Sequence, residues 1–191
     1  MSSMHQRFEL TLAWHCAPSM AGIKAADLLA WIPPEEAWNR MLGHYVQLLA
    51  RRGIRLRVLG QYRQRVFLLI FRPARLEQWL VRPDVSAMLE REGYPVSRGT
   101  EAMLAHLRRR IQEDSFPHEI GLFLGYPPAD VAGFLRDGGR GCKLSGPWKV
   151  YEDVEGAARR FAAFHRCRDA LTLRLEQGRT LAQVFPLSCP A

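Results

Sequence analysis

Lysine is scarce in this chain of 191 residues: of 27 basic residues only Lys24, Lys143 and Lys149 are lysine, and the other 24 are arginine. Cysteine is scarce too. Cys16, Cys142, Cys167 and Cys189 lie far apart with no C-x-x-C pair, which predicts reduced thiols rather than a disulfide framework. No run of about 18 uncharged apolar residues occurs, so no membrane span is expected. The first residues carry one cation, Arg7, and Glu9 and His15 interrupt the apolar run, so no export signal is expected and a cytoplasmic location follows. The common active-site fingerprints are missing: no G-x-S-x-G, H-E-x-x-H or G-x-G-x-x-G is present. Gly138-Gly139-Arg140-Gly141 lacks the order of a phosphate loop and precedes an expected strand rather than a helix.

What is present is a balanced globular composition, 48% hydrophobic and 24% charged, with a net charge of +8. That is enough for one proper core. The expected fold is a single α+β domain over 1–178, helix-rich, with a small antiparallel sheet and an irregular tail at 179–191. Helical spacing runs from Phe8 to His15 and meets a breaker at Cys16-Ala17-Pro18. Gly22 to Trp31 is apolar and short, a helix or a strand. Glu35 to Arg51 has the spacing of an amphipathic helix ended by Gly53.

The clearest strands follow. Ile54, Leu56 and Val58 alternate with Arg55 and Arg57, and Arg65 to Phe71 is apolar on both faces, as a central strand should be. Gly60–Gln64 fits the loop between them. Helices are expected at about 73–81, 84–92 and 100–113. Another opens at Ser115 and stops at Gly125, and a further one covers 128–137. Trp148 to Tyr151 is β-prone and makes a third strand. The last helix starts at Asp153, ends near Gly178, and carries the stripe Ala158, Phe161, Phe164, Cys167, Leu171, Leu175.

Several residues could carry chemistry. His118 and Glu119 sit together at the mouth of the apolar run FPHEIGLFLGY, where a helix start attracts anions and a histidine can serve as acid or base. Read structurally, Glu119 complements the helix dipole and His118 bonds within the first turn. His15-Cys16 could supply metal ligands or an activated thiolate, although the spacing predicts no further ligands. The three lysines all lie in Gly/Pro-marked segments, and lysine differs from arginine in its ability to lose a proton. Lys24, and Lys149 with Tyr151 on one face of a strand, are candidate anion holders along with His118; a lysine stretched over aromatics is the structural alternative. Eight arginines between Arg51 and Arg75 would give the strand pair a positive face for an acidic partner.

Residues 117–136 also match the apolar and glycine spacing of a helix-turn-helix, with a possible wing at 143–151. The second helix, however, would present Ala129, Asp130, Ala132, Gly133, Arg136 and Asp137. One arginine and two carboxylates make a poor base reader, so nucleic-acid binding is not favoured.

In HCAPSMAGIK (15–24), FPHEIGLFLGYPPADVAGF (116–134), and GPWKVY (146–151) with the helix through Cys167, the chain resembles a bacterial family of uncharacterised proteins, domain of unknown function 3793. The resemblance transfers no catalytic residue and no cofactor. It implies an anaerobic setting with genes that sometimes neighbour flavodoxin genes, and flavodoxins are acidic. The expectation is a cytosolic accessory protein of redox or iron metabolism. It would dock an acidic partner such as a flavodoxin and hold a small ligand or metal near His15, Cys16, Lys24, His118 and Glu119. The alternatives are an enzyme with a His/Lys acid-base and anion site, and a helix-turn-helix-like regulator.

Overall fold

A computed structural model describes residues 3–33, 38–62, 64–112 and 116–187. It is helix-rich α+β with small antiparallel sheets, the class expected. By contacts the chain forms two compact units, Met1–Pro73 with Phe164–Ala191, and Ala74–Ala163.

In the first unit, α1 (Ser3–Met20) leads to β1 (Ala26–Trp31), then α2 (Trp38–Ala50), β2 (Arg55–Tyr62) and β3 (Arg65–Phe71). Strand β3 is central in the order β1-β3-β2, and its whole length beyond Phe67 is buried, as an apolar run without alternation requires. Pairing of Leu29 with Leu68, Trp31 with Val66, and Leu56 with Ile70 puts these side chains on one face. That face packs with Phe8, Leu12 and Cys16 of α1 and Met41, Tyr45 and Leu49 of α2 in one core, which Leu171, Leu175 and Leu181 join from the end of the chain. Buried area of this kind, at about 25 cal/mol per Å² of apolar surface, is the main stabilising term.

Three expectations need correction here. Pro18 does not break α1, which continues to Met20. The proline removes a single donor, while its own carbonyl accepts from Ile23 and Lys24 at 3.0 and 3.2 Å, so the end of the helix stays bonded. The sheet's third strand is β1, not 148–151. The hairpin loop is also shorter than expected: β2 extends to Tyr62, and a register shift between Val58 and Gly60 absorbs the extra residue. Gly53 ends α2 as predicted, at φ 68°, with Ile54 N–H donating to Leu49 and Gly53 N–H to Ala50. Residues 34–37, where α2 was expected to begin, lie outside the described residues.

The second unit contains α3 (Pro73–Leu80, from Ala74 on), α4 (Pro83–Arg91), α5 (Gly99–Ile111), α6 (Ile120–Phe123), α7 (Pro128–Asp137) and the two-residue strands β4 (Leu144–Ser145) and β5 (Lys149–Val150). The helix expected from Ser115 to Gly125 is one turn, α6; Ser115 itself lies outside the described residues. Its lead-in is closed by tight three-residue bonds from Ile120 to Pro117 and Leu122 to Glu119, and Gly125 at φ 79° ends it. Lys149–Val150 folds back on Leu144–Ser145 through Gly146-Pro147, so the β-prone segment finds its partner locally. Finally α8 (Val154–Glu176) gives its first ten residues to this unit and the rest to the first. Asp153 caps it, accepting from Gly156 N–H at 2.8 Å. On its stripe Ala157, not Ala158, is buried. Beyond Arg179, where irregular chain was expected, the turn α9 (Leu181–Val184) carries a complete capping box between Thr180 and Gln183.

Candidate functional site

In the first unit the predicted residues His15, Cys16 and Lys24 gather at the corner where α1 turns into β1. Asp27, paired with Ile70 in the sheet, faces inward, and Lys24 Nζ meets its Oδ1 at 2.5 Å. The two side chains are only 8% and 6% exposed. The other carboxylate oxygen accepts Ser19 N–H at 3.0 Å, and Ser19 Oγ donates to the Cys16 carbonyl at 3.1 Å. Arg72 Nε donates to the Met20 carbonyl at 2.7 Å, and its side chain passes Gly22, which sits at φ 80°. The corner is therefore closed around one carboxylate. A lysine so held contributes electrostatic cohesion, and its charge is matched before any ligand arrives.

His15 and Cys16 point apart. Cys16 is fully buried, and burial first, then the nearby Asp27, pushes its thiol well above the ordinary value, the reverse of an activated thiolate. His15 is exposed, yet partial desolvation holds its imidazole below the ordinary value, opposed by Asp27 and aided by Arg168. Trp14 beside it lies under the Arg168 guanidinium at 4.3 Å. Burial also raises the Cys167 thiol. Among the described residues, no three His, Cys, Asp or Glu side chains gather as metal ligands; Cys189 is outside them.

In the second unit the adjacent His118 and Glu119 also diverge. His118 is exposed and packs edge-on to Phe134 at 5.1 Å and Phe116 at 5.9 Å. Glu119 is buried, where its Oε1 accepts the Tyr94 hydroxyl at 2.9 Å and meets the Arg110 guanidinium at 3.3 Å. Burial and that carboxylate push the Tyr94 phenol upward. Glu119 thus ties α5 to the segment before α6 and caps no helix through its side chain.

Lys149 and Tyr151 part as well, because the chain bends after Val150. Lys149 Nζ donates to Ser145 Oγ across the hairpin at 2.8 Å. Tyr151 is buried with its ring where a Cβ on Gly133 would come within 2.5 Å, and its hydroxyl has no partner among the described residues. The residue that organises this region is one sequence reasoning missed. Asp130 is buried, accepting Trp148 Nε1–H and Tyr151 N–H at 2.7 Å each. With Asp130 and Gly133 turned inward, α7 exposes Ala129, Ala132, Leu135 and Arg136, and Arg136 is held bidentately by Asp137. Asp27 and Glu9 were missed in the same way: each is a lone carboxylate in an apolar run, and that isolation was the available signal.

The family model of the proteins of unknown function DUF3793 matches residues 12–185. The chain belongs to this family. Neither a curated protein nor a solved structure matches it. The DUF3793 match takes in Asp27, Glu119 and Asp130, the three buried carboxylates that fix the corner, the α5 link and the hairpin, and it leaves Glu9 outside.

Proposed function

We propose that this DUF3793 protein is a binding protein whose first unit docks an acidic protein partner. One observation carries the reading. The first unit holds 14 Lys and Arg against 6 Asp and Glu, whereas the second holds 13 of each, so the whole net charge of +8 belongs to the first. Glu9 and Asp27 of that unit are buried and engaged, which leaves Asp169 and Glu176 as its exposed described carboxylates. The arginines near the hairpin divide by role. Arg52 and Arg72 donate to backbone carbonyls, while Arg51, Arg55 and Arg65 are exposed. Such a field raises encounter rates with anions and fades once salt shortens the Debye length. A flavodoxin, acidic and suggested by the family resemblance, is the partner to try first, which would place the protein in anaerobic redox or iron metabolism.

An enzyme reading draws less from the geometry, since Lys24, Glu119 and Cys16 are buried and two of them are already paired. Calorimetry with a flavodoxin at about 20 mM and about 500 mM salt tests the docking. Saturable binding at low salt, lost at high salt, is expected. The pair Arg55→Glu with Arg65→Glu should weaken it about tenfold, or ~1.4 kcal/mol, and Arg98→Glu with Arg108→Glu in the second unit should leave it unchanged. Equal losses from both pairs, or equal competition by a DNA oligomer, would reduce the effect to bulk polyanion attraction and reject the reading.

A further inference from the structure

We propose that the first unit also seats a small amphipathic carboxylate, in the groove between α1, the end of β1 and α2. The groove holds about 470 Å³, within the range of small-molecule sites. Two other clefts of the same unit are smaller, about 260 and 240 Å³, and more polar.

The floor consists of Phe8, Trp31 and Met41, all buried. The Phe8 and Trp31 rings stand 4.9 Å apart, and Trp38 meets Trp31 edge-on at 5.9 Å, so the aromatic wall is braced by ring contacts. Met4, Ile32 and Pro33 continue the apolar lining, with Ile32 56% exposed. The methionines can adjust to an irregular ligand. Among the described lining residues, two side chains are polar. Thr11 Oγ1 already donates to the Arg7 carbonyl at 2.8 Å. Arg7 is exposed, and no carboxylate among the described residues pairs with it.

Among the described residues the trough is apolar with one unmatched guanidinium, Arg7, and that arrangement selects a ligand of matching construction. The body must be apolar, because the walls offer it no hydrogen bond. The head must be a single anion, and a carboxylate suits the planar fork of arginine. A polyphosphate would find one cation where it needs several, and an uncharged hydrocarbon would leave Arg7 unused. The volume fits a monocarboxylate of roughly eight to twelve carbons or an aromatic acid of similar size. Burial of the body supplies most of the affinity, since an exposed ion pair adds little. This seat does not depend on the docking reading, and a small-molecule probe distinguishes the two.

Calorimetry of the full chain with decanoate below its micellar range, with 1-decanol as the uncharged control, is the test. Saturable one-to-one binding of decanoate is expected. Arg7→Gln should weaken decanoate about two- to fivefold and leave decanol unaffected. Thr11→Trp, which fills the groove, should abolish both. Ile32→Asp, at an exposed rim position that tolerates polarity, should repel decanoate and keeps the test decisive if Thr11→Trp does not fold. Absence of saturable binding by the folded protein, or decanoate affinity unchanged in both Arg7→Gln and Ile32→Asp, overturns the proposal.

Discussion

The two units bury two carboxylates each, Glu9 and Asp27 in the first and Glu119 and Asp130 in the second, but differ in how many acids they leave at the surface. In the second, five acidic groups answer a cation: Asp84 is bound by Arg82, Glu119 by Arg110 and Asp137 by Arg136, and Glu155 and Asp153 lie near Arg159 and Arg160. Arg82 holds the Asp84 carboxyl below its ordinary range, as Arg136 does for Asp137. In the first, the described carboxylates that matter most are turned inward. Asp27 takes Lys24 and Ser19, and Glu9 takes the Tyr45 hydroxyl and Leu181 N–H at 3.0 and 2.9 Å. Internal use of Glu9 and Asp27 leaves Asp169, near Arg168, and Glu176 as the exposed described carboxylates of that unit. With nearly equal numbers of bases in the two units, 14 and 13, the positive field of the first comes from its smaller number of acids, 6 against 13.

The largest effect that would break this contrast is expected from Asp27→Ala. It strands the Lys24 ammonium in a buried corner and takes the acceptor from Ser19, at a cost of about 3–5 kcal/mol. Urea unfolding measures the loss, and hydrogen exchange should place it in α1 and β1. A loss below about 1 kcal/mol would mean that water reaches the lysine, as for an exposed pair. Asp130→Asn is the counterpart in the second unit. The amide keeps one acceptor oxygen where the carboxylate uses both, so about 2 kcal/mol should be lost, with hydrogen exchange rising around Tyr151 and Glu152. If each substitution opens only its own unit, the units are separate cooperative blocks; if both open together, the contrast is one of charge alone.

The smallest effect concerns His15. Its folded pKa is lowered, so below about pH 6.5 the unfolded chain binds the proton first and stability falls as pH drops. The decline ends below the folded pKa. Melting temperatures between pH 7.5 and 5 should show a shallower slope for His15→Gln than for the parent, and identical slopes would contradict the assignment.

Much of the fold was legible from local pattern. β3 announced itself as central by being apolar on both faces, and α2, α5, α7 and α8 by their spacing, with Gly53 after α2 and the Asp153 cap before α8. Beyond the β2–β3 hairpin, which segment a strand pairs with was not legible. β1 could be read as helix or strand because only β3 decides it, and Trp148–Tyr151 looked like a sheet strand because nothing in its own residues reveals that Leu144–Ser145 will claim it. Of the candidate site, residue types were visible and orientations were not. His118 with Glu119, and His15 with Cys16, are adjacent in sequence, yet each pair splits into one exposed and one buried side chain.

By itself the sequence determined the helix-rich α+β class, the hairpin, the Asp153 cap and the total charge, all of which depend on composition or on neighbours a few residues away. Only the tertiary structure decided that the charge falls entirely on one unit, that Lys24 is matched by Asp27, and that Asp130 and Glu119 face inward. The reason is physical: a carboxylate in an apolar run can be buried only if folding brings donors to it. Those donors are backbone N–H groups, two phenols, an indole, an ammonium and a guanidinium, most of them brought from elsewhere in the chain.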